Sequence, residues 1–123
     1  MKSKKLAHSV ARLALEKKGK DIIILEVVGI ADFADFFVIV TGDSDVQIKA
    51  ISDHIEKSLK KERIKLYHKE GYQSLQWVLL DYVDVLVHVF RPATRALYAI
   101  ERLWGDAKRE VMTEQMYDRE TVY

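Results

Sequence analysis

The pattern of apolar and polar positions in the first third of the chain predicts one helix followed by two strands. From Ser3 to about Lys18, apolar residues recur every three or four positions, the spacing of one buried helix face, and Gly19 follows as a helix-ending residue. The run DIIILEV, residues 21–27, has the length and the β-branched content of a strand. After the loop GIADFAD, the run FFVIVTG at residues 36–42 predicts a second strand, which is apolar on both faces and therefore suited to burial on both sides.

A capped amphipathic helix is predicted directly after the second strand. Ser44 is a favourable N-cap residue, and Gln47 lies three positions later, where its side chain can complete a capping box. The apolar stripe that would face the sheet is Ile48, Ile51, Ile55 and Leu59. The run IKLYHKE, residues 64–70, would then return as a strand, and a right-handed crossover would make it parallel to the strand at residues 36–42.

Two apolar runs and one proline define the rest of the predicted fold. Residues 76–82 and 84–90 predict strands that pair as a hairpin. Pro92 suits the first position of a third helix, which would end at Gly105. The apolar face of that helix would be Leu97, Ile100, Leu103 and Trp104. Residues 108–123 are charge-dense and only weakly periodic, which predicts a short marginal helix or a mobile tail.

Together these elements predict a single α/β domain at residues 1–107, with a mixed five-stranded sheet and about three helices, followed by a variable tail at residues 108–123. Most of the strands are apolar on both faces, but three helices of this length cover one face of a sheet well and the other incompletely. We therefore expect apolar surface to remain for a partner, either a second copy of the chain or a different protein.

The composition of the chain narrows its class and its location. Apolar residues make up 49% and charged residues 32% of the 123 residues, as in ordinary globular proteins, and no apolar run approaches the roughly 18 residues that span a bilayer. The start of the chain lacks an apolar targeting segment, so we expect a cytoplasmic bacterial protein without a membrane partner. The sequence contains no cysteine, which excludes disulfides, thiolate metal sites and cysteine nucleophiles.

The charge balance argues against extensive contact with nucleic acid. Twenty basic and nineteen acidic residues give a formal net charge of +1, whereas proteins that grip a phosphate backbone concentrate positive charge. Two basic clusters stand out, one at Lys2, Lys4 and Lys5 and one in KSLKKERIK at residues 57–65. Both are interpreted as solvated helix ends, and we expect little direct nucleic-acid binding.

Two carboxylates in the predicted hairpin leave one enzymatic alternative open. With a two-residue turn at residues 82–83, Asp81 faces Asp84, and such a pair could bind a divalent metal as in nucleotide-transferring enzymes, while the turn at residues 42–44 could hold a phosphate. We favour the competing interpretation, in which the aspartates bond turn backbone groups and Ser44 only caps a helix. One glycine lacks the spacing of a phosphate-binding loop, so we expect no metal, no cofactor and no catalytic residues.

Aromatic residues in the same hairpin favour a protein-binding surface. In the predicted register Trp77 faces His88 on one face of the sheet. A histidine on an apolar strand is more often a core residue than a catalytic base, and the four histidines show no metal-ligand spacing. Trp77, on an incompletely covered face, is the type of residue that anchors interfaces, and Tyr72 and Tyr82 add contact area. Core packing is the alternative for each of the three.

Four ordered motifs resemble the ribosomal silencing factor family, which is also called the Iojap family. The matching segments are DFFVIVTGDSDVQIKAISDHIE at residues 35–56, GY at 71–72, WVLLDYVDVLVHVF at 77–90 and YAIERLWGDA at 98–107. Together with the first helix and strand, the resemblance covers residues 5–107.

The resemblance implies a fold related to nucleotidyltransferases but without their catalytic equipment. It implies a translational repressor that binds the large ribosomal subunit through ribosomal protein L-fourteen and sterically blocks association with the small subunit when nutrients are scarce. Relatives in organelles act in large-subunit assembly, which stays as an alternative, and a homodimer of the free protein could use the same apolar face. Carried over by position, the partner-binding residues are Tyr72, Trp77, Leu79, Asp81, Tyr82, Asp84 and His88.

The chain departs from the family pattern at two positions. Val83 stands where the family usually has glycine, and a β-branched residue resists the positive φ that a type I′ turn requires. A longer turn with a different cross-strand register is therefore the alternative. Phe36 stands where the family usually has tyrosine, a loss of one hydroxyl that should matter little to packing.

Overall fold

The computed structural model of the chain describes residues 2–114, which form one mixed six-stranded sheet with two long helices on one face. The elements are α1 (Lys2–Glu16), β1 (Lys20–Glu26), β2 (Phe36–Thr41), α2 (Asp45–Lys61), β3 (His68–Glu70), β4 (Trp77–Asp81), β5 (Val85–Phe90), α3 (Pro92–Tyr98), α4 (Ile100–Leu103) and β6 (Lys108–Val111). Among the described residues, no helix combines the length and the apolar character needed to cross a membrane.

The strand order of the sheet is β3-β4-β5-β2-β1-β6, and its single parallel pair is β2 with β5. The returning strand predicted at residues 64–70 is shorter than expected, and it pairs antiparallel with β4 at the edge of the sheet. The parallel neighbour of β2 is β5 and not, as predicted, the strand at residues 64–70. The apolar run of β5 suits burial on both faces. The polar residues of β3 suit a sheet edge, where one side of the strand is exposed to water.

Helices α1 and α2 cover one face of the sheet and form the main core with it. Helix α2 begins as predicted, because Ser44 Oγ accepts a hydrogen bond from the Gln47 backbone N–H at 3.1 Å. The Gln47 side chain reaches back to the Asp43 N–H at 2.7 Å and also donates to the Lys18 carbonyl at 2.8 Å. One glutamine therefore caps α2 and ties its start to the end of α1.

The hairpin of β4 and β5 forms as predicted, but its register is shifted by two residues. The observed pairs are Trp77 with Phe90, Leu79 with His88, and Asp81 with Leu86. The predicted pairing of Asp81 with Asp84 is therefore wrong, and so is the predicted pairing of Trp77 with His88. Because the shift is an even number of residues, every side chain keeps its predicted face of the sheet.

The hairpin turn is centred on Val83 and Asp84, one residue later than predicted. The Tyr82 N–H donates to the Val85 carbonyl at 2.9 Å and closes the turn. The Asp84 N–H donates to the Tyr82 carbonyl at 2.9 Å, and Val83 adopts φ 71°. The turn is thus tight despite the valine, which occupies a backbone region that strains a β-branched residue.

The predicted third helix is broken into two short pieces at Ala99, which has the left-handed angles φ 43° and ψ 48°. The Arg95 guanidinium on α3 bonds the Glu101 carboxylate on α4 at 2.9 Å across the break, a contact that sequence periodicity does not encode. The predicted apolar face is consequently not buried as a unit. Leu97 is 77% exposed and Leu103 is 75% exposed.

A sixth strand, β6, lies in the segment where a short helix or a mobile tail was predicted. Residues 108–111 pair antiparallel with β1, and the next residue, Met112, is buried in the main core. The charged sequence KREV suits a sheet edge. Apolar and polar residues alternate only weakly in it, so the sequence pattern did not predict a strand there. The domain therefore continues beyond Ala107, and residues 115–123 of the predicted tail lie outside the described residues.

Candidate protein-binding face

The sheet face opposite α1 and α2 is covered only in part, by α3, α4 and the loop before β2. It carries alternate residues of β4 and β5, because strand side chains point to opposite faces in turn. Seven ring side chains follow one another across it and define what we call the aromatic face: Phe33, Phe37, Trp77, His88, Phe90, Tyr98 and Trp104.

Trp77 and Phe37 are the two centres of the aromatic face. The Trp77 ring centroid lies 4.8 Å from that of Phe90 and 4.9 Å from that of Tyr98. The Phe37 centroid lies 5.5 Å from that of Trp104 in an edge-to-face arrangement. Such geometries contribute beyond area burial alone. Phe37, His88 and Phe90 are buried, whereas Phe33 and Tyr98 are 59% and 53% exposed, so the exposed rings rest on a packed aromatic layer.

His88 links the two centres. Its ring centroid is 5.3 Å from that of Phe37, and its Nδ1 accepts a hydrogen bond of 3.1 Å from Trp77 Nε1. The proton of the neutral imidazole therefore sits on Nε2, which is buried and has no partner among the described residues. Burial lowers the pKa of His88 to about 4. A neutral ring whose acceptor nitrogen is occupied cannot serve as a general base.

The two aspartates of the hairpin have different structural roles, because the Asp81 carboxylate bonds the turn and the Asp84 backbone carbonyl bonds the start of β2. Asp81 Oδ1 accepts the Val83 N–H at 2.7 Å, and the Asp84 carbonyl accepts the Phe36 N–H at 3.1 Å. Asp81 stands opposite Leu86, so the carboxylate pair of the enzymatic alternative is not assembled. Among the described residues, no group of three or more His, Asp or Glu side chains could hold a metal.

The turn at residues 42–44 packs closely against the start of α2. A Cβ at Gly42 would lie 2.8 Å from Ile48 Cδ1, a side-chain carbon at the start of α2. Asp43 forms an ion pair with Lys20 at 2.5 Å, and Ser44 caps α2. Helix packing and capping therefore account for these three residues without a phosphate.

The two tyrosines of the predicted site lie on the helix side of the sheet. Tyr82 is only 6% exposed and packs in the main core, and burial raises its pKa to about 12. The Tyr72 hydroxyl donates to the Asp53 carboxylate on α2 at 2.6 Å, a bond that raises the pKa of Tyr72 to about 12. The structure thus brings together Trp77, Leu79, Asp81 and His88, leaves Asp84 at the turn, and separates Tyr72 and Tyr82 from them.

Sequence reasoning did not assign several residues around Trp77 to the binding surface. Leu86 lies on β5 within the sheet face, and the loop before β2 and the broken third helix supply the rest. The missed residues are Phe33, Leu86, Leu97, Tyr98, Leu103 and Trp104. The available signal was the aromatic and leucine content of residues 97–104, but its uninterrupted helical period concealed the break that exposes Leu97 and Leu103.

Comparison with known proteins places the chain in one family. The family described as "Ribosomal silencing factor during starvation" matches residues 1–122. The ribosomal silencing factor of Halalkalibacterium halodurans is 38% identical over 107 residues, which is 87% of this chain and 92% of the relative. A mouse protein named "Mitochondrial assembly of ribosomal large subunit protein 1" is 30% identical over 95 residues, 75% of this chain and 42% of that protein.

Solved structures agree with the sequence match. A crystal structure of a protein from Chromobacterium violaceum has a TM-score of 0.77 and 37% identity to this chain, with 91% of each chain covered. The family match extends past Ala107, in agreement with the pairing of β6 in the sheet. The chain belongs to the family of ribosomal silencing factors.

Proposed function

We propose that this protein represses translation by binding the large ribosomal subunit through ribosomal protein L-fourteen, and that it thereby occupies the place where the small subunit would dock. Family membership supports the silencing role. The choice of L-fourteen follows from the family resemblance. The observation that carries the binding surface is the aromatic face, which the protein's own helices leave partly uncovered.

The aromatic face has the composition of an interface centre. Trp77 and Tyr98 offer broad rings in contact with each other. Leu97, the residue before Tyr98, and Leu103, the residue before Trp104, are strongly exposed to solvent. Large exposed apolar patches on small proteins mark interaction sites. Asp81 adds a carboxylate at one edge, which suits a basic ribosomal protein, because an edge charge favours encounter and orientation more than affinity.

The mechanism is steric and needs neither a cofactor nor turnover. A bound protein that fills the docking position raises the free energy of subunit joining without altering either subunit chemically. Repression should therefore scale with occupancy of the large subunit and reverse on dilution. Ribosomes are the target, so the site of action is the bacterial cytoplasm.

Large-subunit assembly is the second candidate function, favoured by the name of the mouse relative. The same face could bind an immature subunit and hold it apart from the small subunit. Gradient profiles of cells that lack the protein separate the two roles. A repressor leaves the amounts of subunits normal during growth, whereas an assembly factor leaves a deficit of mature large subunits.

Co-sedimentation with purified large subunits tests the binding surface. Leu97→Glu places a charge on an exposed residue next to Tyr98 in the chain without opening the core, and we expect affinity to fall by about tenfold or more. Val46→Glu is the matched control, because Val46 is 79% exposed on α2 at the other side of the sheet. Equal affinity of Leu97→Glu and Val46→Glu for the subunit would remove the aromatic face from the proposal.

The steric step has its own test. Purified small subunits are added to large subunits with and without the protein, and joining is followed by light scattering. The wild-type protein and Val46→Glu should suppress joining, and Leu97→Glu should not. Sedimentation equilibrium of the free protein tests the homodimer alternative, since a dimer through the same face would dissociate in Leu97→Glu.

A further inference from the structure

A basic groove of about 590 Å³ lies where α2 ends and the chain turns toward β3. Its floor includes Ile64 and Leu66, which pack against the main core. Its rim carries four cations from residues 57–65, namely Lys57, Lys60, Arg63 and Lys65. In the sequence this segment resembles an ordinary solvated helix end, but in the structure its charges surround one concave surface.

A second cavity of about 330 Å³ lies at the start of α1 and shares one lining residue with this groove. Ile64 lines both cavities, and Lys2 and Lys5 line the second one. The cause is packing, because Leu6 of α1 and Ile64 rest on the same core cluster. Two basic clusters that lie more than fifty residues apart thus become one surface, which we call the basic pole: Lys2, Lys5, Lys57, Lys60, Arg63 and Lys65.

The positive charge of the basic pole is largely unbalanced. Glu56 and Glu62 are the acidic residues that line the two cavities. Glu56 is already engaged by Lys69, whose Nζ lies 3.1 Å from its carboxylate. Within residues 2–114, none of the six cations of the basic pole forms an ion pair. The net charge of +1 therefore conceals a concentrated positive region.

Arg63 occupies a backbone position that normally favours glycine. It follows the last turn of α2 with φ 62°, its N–H donates to the Lys60 carbonyl at 2.9 Å, and the Ile64 N–H donates to the Leu59 carbonyl at 2.9 Å. This is the helix-ending pattern in which glycine is the usual left-handed residue. The chain thus carries a guanidinium at a position where a side chain is strained.

We propose that the basic pole binds the phosphate backbone of RNA. This inference rests on the proposed function, since a protein seated on the large subunit stands beside ribosomal RNA. Guanidinium and ammonium groups around a groove neutralise successive phosphates and release condensed counterions. Apolar floor residues and flexible lysines give no base-specific readout, so recognition is of the backbone and independent of sequence. The sequence-based expectation of little nucleic-acid contact rested on the net charge and on the interpretation of the two basic clusters as separate solvated helix ends.

The other helix provides a matched control for Arg63. Helix α1 ends in the same pattern, with Lys18 at φ 62°, its N–H donating to the Leu15 carbonyl at 2.9 Å, and the Gly19 N–H donating to the Ala14 carbonyl at 2.9 Å. Lys18, and not the following Gly19, is the left-handed residue of this helix end. It lies beside the start of α2, at the opposite end of the helix layer from the basic pole.

The test measures binding of a fluorescent twelve-nucleotide oligouridine by anisotropy between 50 and 300 mM KCl. Wild-type protein should bind with a log–log salt slope of about −2, equivalent to three phosphate contacts on a single strand. Arg63→Gly should weaken binding about fivefold at 0.1 M salt, since one contact contributes a slope of about −0.7. Lys18→Gly should leave affinity unchanged. Both variants should unfold at higher temperature than wild type, because each relieves the same backbone strain.

Three outcomes would overturn the inference: no binding of the wild type, equal affinities of Arg63→Gly and Lys18→Gly, or full competition by ATP at equimolar phosphate. The last would assign the basic pole to a small nucleotide. Leu97→Glu separates the inference from the proposed function, because it should lose large-subunit binding and keep oligouridine binding. If only the basic pole is wrong, Arg63→Gly will co-sediment with large subunits like wild type while Leu97→Glu does not.

Discussion

Trp77 Nε1 donates a hydrogen bond to His88 Nδ1 at 3.1 Å, although the two residues are diagonal rather than opposite neighbours in the hairpin. The bond holds the indole in place on the aromatic face and fixes the histidine tautomer. It also makes the stability of this face sensitive to acid, because a protonated Nδ1 could no longer accept the indole N–H.

We predict an acid-labile contribution from His88 between pH 6.5 and pH 4. Burial lowers the pKa of His88 to about 4 in the folded protein, against 6.5 when it is exposed. The unfolded chain therefore binds more protons in this window, and folding stability falls as pH falls. Between pH 7.5 and pH 5 the loss from this residue should be about 2 kcal/mol, measured by urea unfolding at the two pH values.

His88→Gln is the control for this prediction. A glutamine amide oxygen can accept the Trp77 N–H, but the side chain does not titrate. Carboxylates elsewhere contribute equally to both proteins, so the difference between the two pH profiles isolates His88. Identical profiles for His88→Gln and wild type would contradict the assignment.

We predict that Val83→Gly stabilises the protein. Val83 has φ 71° in the hairpin turn, and its side chain is more than half exposed, so the substitution removes little buried surface. Relief of left-handed strain, offset by the greater freedom of glycine in the unfolded chain, should leave a gain of about 1 kcal/mol. Thermal unfolding should show a midpoint higher by about 4 °C.

Val83→Ala tests whether the gain in stability comes from relief of backbone strain or from removal of exposed apolar surface. Alanine removes the exposed branched side chain but keeps the Cβ that conflicts with a positive φ. Its gain should therefore be smaller than that of glycine. An equal gain for alanine would mean that the exposed apolar surface, rather than the backbone angle, is the source of the effect.

The features predicted from the sequence are those set by local periodicity. The helix cap at Ser44, the two strands of the hairpin and the face that carries Trp77 follow from neighbouring residues, and the structure confirms them. The exact register depends on the turn conformation at Val83. A β-branched residue gives no sign in the sequence that the backbone angle there is left-handed. The shift of two residues changed the partners of Asp81 but not its face of the sheet.

The features that were missed depend on contacts between distant residues. Two strand pairings were missed, that of residues 108–111 with β1 and that of β5 with β2. The local sequence pattern does not determine which strands pair with each other. Arg95 spans the break at Ala99 and also bonds groups more than fifty residues away, which local periodicity does not reveal. The part of the binding face contributed by Leu97 and Leu103 was missed for this reason.

Arg95 should be essential for the position of α3 and α4. Its Nη1 donates to the Asp21 carbonyl and to Thr41 Oγ1, each at 2.8 Å, and its Nε and Nη2 donate to Glu101 at 3.1 and 2.9 Å. Arg95→Met keeps the apolar stem but leaves the Glu101 carboxylate without its partner. Stability should fall by about 2–3 kcal/mol, because removing one member of a mostly buried ion pair leaves the other charge buried without a partner.

A double-mutant cycle tests the coupling of Arg95 and Glu101. Glu101→Gln alone and together with Arg95→Met should show an interaction free energy of about 1–3 kcal/mol in urea unfolding. Additive effects would show that the ion pair does not act as a unit. Loss of the pair should also weaken large-subunit binding, since Tyr98 on α3 packs against Trp77.

Substitutions of Trp77 separate its packing role from its proposed role in partner binding. Trp77→Phe keeps a ring against Phe90 and Tyr98 but leaves His88 Nδ1 without its donor. We expect a stability loss of about 1–2 kcal/mol, because a buried acceptor loses its hydrogen bond. The affinity of Trp77→Phe for the large subunit should change by less than about threefold, since the apolar contact area survives.

Trp77→Ala removes that area, and its affinity for the large subunit should fall by about thirtyfold or more, which corresponds to at least 2 kcal/mol at a central anchor. Co-sedimentation is measured below the unfolding midpoint of each variant, and circular dichroism confirms that each is folded. If Trp77→Phe loses as much affinity as Trp77→Ala, the bond to His88, rather than the area of the ring, is what positions the binding face.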